Sequence, residues 1–596
     1  MRIRPSLVFL ALLAGCAPAP ARIPAPVATP ADARPAAGPA QGDYDRFARE
    51  FLDWYYAGLP VRSTGLGIHT WDGKLPDVSR AGMETRIREL HGWLDRLQRI
   101  DRARLAGDAA LDWIILDHAI RAELLDLEEV RGWRKDPAYY SSLVANGVAS
   151  ISSRTFAPVG ERMRRIMERL EATPAVLAAA RQNLDDPSLV PGLWARDAVG
   201  SVRGTMSFLR EDLFAQLRAQ GMDSVDAELR KDFEARVGDA IRQLAAYEAF
   251  IEVSIVPHAT GDFRLGKDVF ERKLRYEEHV ELTAEQLRDL NERAIRDYHA
   301  WVAREAARVD PRRTPVAVMD SITRIHPTPG ELIPTARRDL DEVKRFIVER
   351  RIVTLPSDRM PVVRQTPEYA RGSFASMDTP GPFERVATEA YFNITNVDPA
   401  WTAEQQDQHL TYFNYPGLLG ITVHEAMPGH FVQLLYQSQI PTEVRKVFAP
   451  ASLVEGWAHY AEQMMVDEGL GGGDPAVRLG QLRRALQRHA RWNAGLSMHA
   501  FGASIEEASR RFEEIAYFAP FPALRETQRG TSDPTYLYYA LGRMQILKLR
   551  DDYKRYLESR GERFDLRQFH DTFLRLGLPV SLARQVMIPG DTAPSL

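Results

Sequence analysis

Apolar residues return at three- and four-residue steps in segment after segment of this chain, and that period restricts the body to a mainly α-helical fold. The stripe is clear in "YDRFAREFLDWYYAG", "METRIRELHGWLDRLQRI", "GERMRRIMERLEATPAVLAAARQNL", "LRKDFEARVGDAIRQLAAYEAFIEV" and "TPGELIPTARRDLDEVKRFIVER". In "TAEQLRDLNERAIRDYHAWVAREAARV" the run opens with Thr283 and Glu285, a helix start signal. Between about residues 353 and 397 the pattern changes to short β-branched and aromatic runs broken by "MDTPGPF", which predicts a small sheet just upstream of the most distinctive motif. The helical period resumes at 416–438, 451–468, 478–499, 504–517 and 533–557. Such stripes are core faces and carry no chemistry of their own.

A chain of 596 residues exceeds what one hydrophobic core usually serves, so two lobes are expected. Its net charge is −4, with Lys and Arg scattered among Asp and Glu and no basic run interleaved with aromatics, which disfavours a nucleic-acid partner. No internal repeat occurs.

The N-terminus predicts a location. Arg2 and Arg4 precede the apolar run Leu7–Leu13, too short for an ordinary membrane span, as in a secretory signal peptide. Leu13-Ala14-Gly15-Cys16 resembles a bacterial lipobox, which makes residues 1–16 a lipoprotein signal and Cys16 the lipidated first residue of the mature chain. Ala17 follows, and by resemblance to Gram-negative lipoproteins this implies the outer membrane, with the body facing the periplasm. Cys16 is the sole cysteine, so no disulfide is expected. Residues 17–42, rich in Ala and Pro, read as an extended tether, and residues 43–596 as the body. Membrane contact is then through the lipid anchor alone.

The motif is "ITVHEAMPGHFVQ", residues 421–433. Zinc-peptidase helices place two histidines four apart, on one face. Here His424 and His430 are six apart, which on an ideal helix separates them by roughly 120°. Pro428 offers no N–H, and its ring would clash with the His424 carbonyl four residues back. Gly429 is the residue best able to absorb a distortion. Either a bend at Pro428-Gly429 returns His430 to His424 and builds a zinc site, or the helix ends at Met427 and His430 falls in a following turn.

Catalytic zinc usually holds three protein ligands and a water. In "SLVEGWAHYAEQMM", Glu455, His459 and Glu462 stand at i, i+4 and i+7 and share one helical face, as a second ligand-bearing helix or as a solvated polar stripe.

"HEAMPGHFVQ" followed by "EGWAHYAEQ" resembles the bacterial domain-of-unknown-function family 885 (DUF885), with HExxPGH and EGWA-x-Y-x-E motifs. The likeness extends to "VVRQTPEYARGSFASMDTPGPFE" and "ETQRGTSDPTYLYYALGRMQILKLR". That family looks like a divergent branch of the gluzincin metallopeptidases. The resemblance implies a large helical zincin-like fold with a small sheet beside the active-site helix and a deep cleft between two lobes. It implies one zinc per chain held by His424, His430 and Glu455, with Glu425 as catalytic base. His459 falls where relatives often carry an apolar residue and is not made a ligand.

Downstream candidates complete the site. His499 is placed near it by the resemblance, with packing as the alternative. Arg529 suits bidentate binding of a substrate carboxylate. Tyr536 and Tyr539 share a face, and Tyr539 matches the family's Tyr-x-x-Gly; core packing is the alternative for both. Residues 390–395, "AYFNIT", are expected to form an edge strand that pairs with extended substrate.

The leading reading is an envelope-anchored zinc peptidase acting on peptides or small proteins. A metal-dependent amidase or esterase, and a non-catalytic zinc-binding lipoprotein, are the alternatives. A serine hydrolase is disfavoured because no G-x-S-x-G elbow occurs.

Overall fold

The structure, a computed structural model, describes residues 39–367, 371, 373–591 and 593–596. The signal segment, Cys16 and residues 17–38 of the expected tether lie outside the described residues. The chain is mainly α with one small mixed sheet.

The three- and four-residue stripes fold as helices. The first spans Pro39–Gly58, and others follow at Arg80–Gln98, Ala227–Phe250 and Leu332–Arg350. Residues 160–184 divide into Val159–Glu171 and Thr173–Asn183, with Pro174 in the first turn of the second, where its missing N–H costs nothing. Helix Ala284–Val309 is capped by Thr283, whose capping-box partner is Gln286 rather than Glu285. The burial pattern makes separate cores. One is internal to residues 78–255, around Tyr140, Leu177, Val202 and Phe233. Another joins the first helix to residues beyond 332, around Phe51, Leu340, Phe392, Trp457 and Phe573.

The sheet has three strands, β1 (Val362–Gln365), β2 (Ala375–Asp378) and β3 (Tyr391–Ile394), in the order β1-β3-β2. β1 runs parallel to β3 with Val363 opposite Phe392, and β2 runs antiparallel with Met377 opposite Phe392. This corrects the expectation of an edge strand at 390–395. β3 is the central strand, so both of its hydrogen-bonding edges are taken and it has none to offer a substrate. Its Phe392 and Ile394 are completely buried, yet such alternation marks a buried face and says nothing about which strand lies at the rim.

Two further differences matter for the site. The stripe at 416–438 is two helices, Tyr415–Glu425 and His430–Gln437. The helix expected from 533 begins at Tyr538, after turns around Pro534, and helices Pro520–Arg529, Leu566–Leu576 and Val580–Met587 add to those read from the sequence.

Candidate metal centre

The break between the two motif helices follows from their residues. Pro428 cannot donate to the His424 carbonyl, so the first helix stops at Glu425, and the amides of Ala426 and Met427 both turn to Thr422 O at 2.9 and 3.3 Å. The Gly429 amide then reaches Val423 O at 3.1 Å. A Cβ at Gly429 would lie 1.9 Å from the His424 carbonyl oxygen, so the chain folds back on itself at a point only glycine can occupy. The Pro428 carbonyl, freed by the break, accepts from Trp457 Nε1 at 2.8 Å, which fastens the turn to helix Ala451–Asp467.

This returns His430 to His424. Their rings stand edge to face with centroids 4.8 Å apart. Glu455, on the neighbouring helix, places Oε2 3.4 Å from His424 Nε2 and 3.4 Å from His430 Nε2. One donor atom from each of the three residues lies within 4.8 Å of the others, a group that could hold a metal ion. Glu455 Oε2 is buried and has no hydrogen-bond partner among the described residues. A buried carboxylate oxygen without a hydrogen bond and two imidazole nitrogens converging on it fit a small divalent cation, and the mixed N/O set suits zinc.

Glu462, two turns beyond Glu455, supports the group from behind. Its Oε1 lies 2.7 Å from His424 Nδ1, which assigns the Nδ1 proton and leaves Nε2 free as a ligand atom. Arg484 Nε donates to Glu462 Oε2 at 2.8 Å and Arg488 donates to Oε1 at 3.0 Å. Burial pushes the Glu462 carboxyl up, but the two guanidinium groups and His424 outweigh it and hold its pKa well below the usual carboxylate range. Glu455 follows the same pattern, burial opposed and overcome by His430 and His424. Burial works against a charged His424, yet Glu455 and Glu462 lift its pKa to about 9. The negative field that favours a proton there favours a divalent cation equally.

Helix Ala451–Asp467 is brought to this position by a close crossing with helix Tyr538–Ser559. A Cβ on Gly456 would stand 2.6 Å from the Gly542 Cα, and one on Gly542 would stand 2.0 Å from the Ser452 carbonyl oxygen.

The remaining candidates are distributed around the centre. Glu425 ends the first motif helix, half-buried, with no side-chain hydrogen bond among the described residues. Tyr539 is flanked by Arg491 and Arg488, 5.3 and 5.7 Å from its ring centroid. Burial and then the Glu455 carboxylate raise its hydroxyl's pKa, while Arg491 and Arg529 lower it. Arg529 donates to Asp533 Oδ2 at 3.1 Å. Tyr536 is fully buried with its hydroxyl donating to the Glu526 carbonyl at 3.3 Å, a packing role. His499 lies eleven residues past Arg488 on helix Pro475–Phe501, roughly 16 Å along the axis. Its Nε2 donates to the Gly530 carbonyl at 2.8 Å, and burial lowers its pKa to about 4, so the structure sets this imidazole, neutral, against the Arg529-Gly530 turn and not among the three donors. His459 is completely buried, with its Nδ1 3.7 Å from Glu462 Oε2.

The family model described as a bacterial protein of unknown function, DUF885, matches residues 60–587. The chain belongs to the DUF885 family. Among solved structures, this DUF885 chain is similar to one described as "a putative lipoprotein of unknown function" from Shewanella oneidensis, at 26% identity and TM-score 0.76, covering 91% of this chain and 99% of that one. It shares its fold with another, "the putative lipoprotein from Colwellia psychrerythraea", at 17% identity and TM-score 0.75, covering 92% and 98%. No curated protein matches the sequence. No helix among the described residues of this DUF885 protein is long and apolar enough to cross a membrane.

The sequence placed Glu462 on the Glu455 face without giving it a role, and it pointed to neither Arg484 nor Arg488. Glu462 had a signal, its place on the Glu455 stripe; the arginines had none, because their partner lies on another helix.

Proposed function

We propose that this protein is a zinc-dependent peptidase of gluzincin-like architecture, anchored to the cell envelope through Cys16. The observation that carries the reading is the convergence of His424 Nε2, His430 Nε2 and Glu455 Oε2, with Glu425 next to His424 in the chain. The envelope assignment rests on the Cys16 lipobox, together with the descriptions of the two solved structures as lipoproteins.

When bound at these donors, zinc lowers the pKa of a water at its open position and polarises a substrate carbonyl. The protein's own groups do the rest. Glu462 accepts the His424 Nδ1 proton and so aims Nε2 at the ligand position. Glu425 takes the proton of the attacking water and hands it to the departing amine nitrogen, so that one water is consumed and one C–N bond is broken. The Tyr539 hydroxyl donates a hydrogen bond to the oxygen on which negative charge develops. His499 holds the Gly530 carbonyl and with it the turn that carries Arg529.

The test is elemental analysis of protein purified without chelator, followed by a peptide-library digest read by mass spectrometry. About one zinc per chain is expected, lost in His424→Ala and Glu455→Ala. Glu425→Gln is expected to keep the metal and lose nearly all turnover. Protein that neither carries nor takes up zinc refutes the reading, and undiminished hydrolysis by Glu425→Gln removes that residue from the mechanism.

A further inference from the structure

The arginines behind the candidate centre outnumber the carboxylates that pair with them. Arg484 and Arg488 share the single carboxylate of Glu462. Arg491 is matched by Glu526, which it grips through two nitrogens at 2.8 and 3.0 Å. Arg529 meets Asp533 through one nitrogen only. Setting aside Glu455, whose oxygen is turned to His424 and His430, four guanidinium groups pair with three carboxylates.

Of the four, Arg529 is the one best offered to a ligand. The side chains of Arg484, Arg488 and Arg491 are 9–12% exposed, whereas that of Arg529 is 42% exposed. A guanidinium carries five N–H donors in a planar fork shaped for a carboxylate, and contacts to Asp533 and the Tyr539 hydroxyl do not use all of them. Its position is fixed beforehand, because His499 holds the Gly530 carbonyl just after it and Tyr536 holds the Glu526 carbonyl in the helical turn before it. Its guanidinium also sits 5.8 Å from the Tyr536 ring centroid. Preorganisation of this kind reduces the entropy lost on binding. Arg529 and the Tyr538 hydroxyl meet on Asp533 Oδ2, each at 3.1 Å, the Tyr538 ring lies 4.8 Å from that of Tyr539, and Tyr539 is flanked by Arg488, which donates to Glu462 behind His424, so one continuous set of side chains joins the fork to the candidate centre.

We propose that the centre takes short peptides by their free C-terminal carboxylate, held in the fork of Arg529, and cuts close to that end. The class of substrate follows, namely small peptides with an unblocked C-terminus, in preference to internal bonds of folded proteins. This rests on the zinc-peptidase reading above and adds the recognition element to it.

The experiment separates recognition from chemistry. Zinc-loaded full-length Glu425→Gln protein is titrated calorimetrically with acetyl-Ala-Phe-Ala as free acid and as C-terminal amide. The acid is expected to bind about 10- to 100-fold more tightly, the range for a hydrogen-bonded charge pair. Adding Arg529→Met is expected to bring the acid down to the level of the amide, and Arg529→Lys to recover part of the difference, because it restores charge without the fork. Equal binding of acid and amide, or a preference that survives Arg529→Met, overturns the proposal. Wild-type turnover of both peptides is followed in parallel. Selective binding through Arg529 with neither peptide cut supports the carboxylate site and refutes the peptidase reading. Equal cutting of acid and amide overturns the carboxylate proposal and leaves the peptidase reading standing.

Discussion

His424 Nδ1 lies 2.7 Å from Glu462 Oε1, and Glu462 is wholly enclosed, with Arg484 and Arg488 on its far side. A charged group so deeply buried survives only when every one of its neighbours answers it. The orientation of a metal-site imidazole is therefore set by an ion cluster that reaches across three helices.

Glu462→Gln keeps the volume and removes the charge. Zinc affinity is expected to fall about 10- to 100-fold, as when an outer-shell partner of a ligating histidine is lost. Two arginines would also be left buried beside a neutral amide, at a cost of about 3–5 kcal/mol. A competition titration against a chelator, run beside a melting curve, reads both quantities. Unaltered zinc affinity would mean that His424 is oriented by its helix alone.

Gly429→Ala tests the turn. Its Cβ would sit 1.9 Å from the His424 carbonyl oxygen, a backbone atom that cannot step aside without moving His424 or His430. Zinc binding is expected to weaken at least tenfold while the distant helical core stays folded by circular dichroism. A variant that binds zinc normally shows the turn to be more pliable than its geometry implies.

Gly542→Ala makes no direct contact with the three donors, but its Cβ would stand 2.0 Å from the Ser452 carbonyl on the helix that carries Glu455. Overpacking of this kind costs about 1–3 kcal/mol. A lower melting temperature is expected together with a loss of zinc affinity, because helix Ala451–Asp467 must slide or tilt and take Glu455 with it. A shift in melting temperature alone, with zinc affinity intact, would show that the helix gives way elsewhere along its length.

His69 offers a pH dependence far from the metal group. Its Nδ1 lies 2.9 Å from Asp72 and its Nε2 3.0 Å from Glu384, while the ring stacks on Phe156 at 3.8 Å. Burial lowers its pKa, but the two carboxylates outweigh this and raise it above 6.5. A raised imidazole pKa contributes stability that is complete below the unfolded value and is lost as pH rises through the folded one. Glu384 behaves in the opposite sense. Burial raises its pKa, but the Val386 amide and His69 outweigh this and lower it, so its contribution is present above 4.5 and fades as pH falls through the folded value. Wild-type protein is therefore expected to lose thermal stability from neutral toward alkaline pH, and His69→Gln to flatten that slope. Parallel slopes in the two proteins would show that the bridge is not what titrates.

The helical class and the bounds of most long helices were legible because a 3.6-residue period is a local property of the chain. The two histidine donors were legible for the same reason, since His424, Pro428, Gly429 and His430 act on one another within two turns, whereas Glu455, on another helix, was singled out by the family resemblance. The expected bend appeared as a full break into two helices, because Pro428 and Gly429 together remove both the donor and the space that a continuous helix needs. The place of β3 in its sheet was not legible, since Phe392 and Ile394 would be buried alike in a central or a rim strand. Nor was the setting of His499, whose partner Gly530 lies 31 residues away.

Side-chain chemistry and near-neighbour sterics, then, decide which atoms are able to bind a metal and where the helix must break, and both are written in the order of the residues. Packing decides what those atoms face. Glu462 meets His424 across 38 residues and Arg484 across 22, and these meetings exist only because helices Tyr415–Glu425, Ala451–Asp467 and Pro475–Phe501 pack against one another. Periodicity tells which face of a helix is buried. It carries no information about which other face will be pressed against it, and that choice is what builds the support for the metal group.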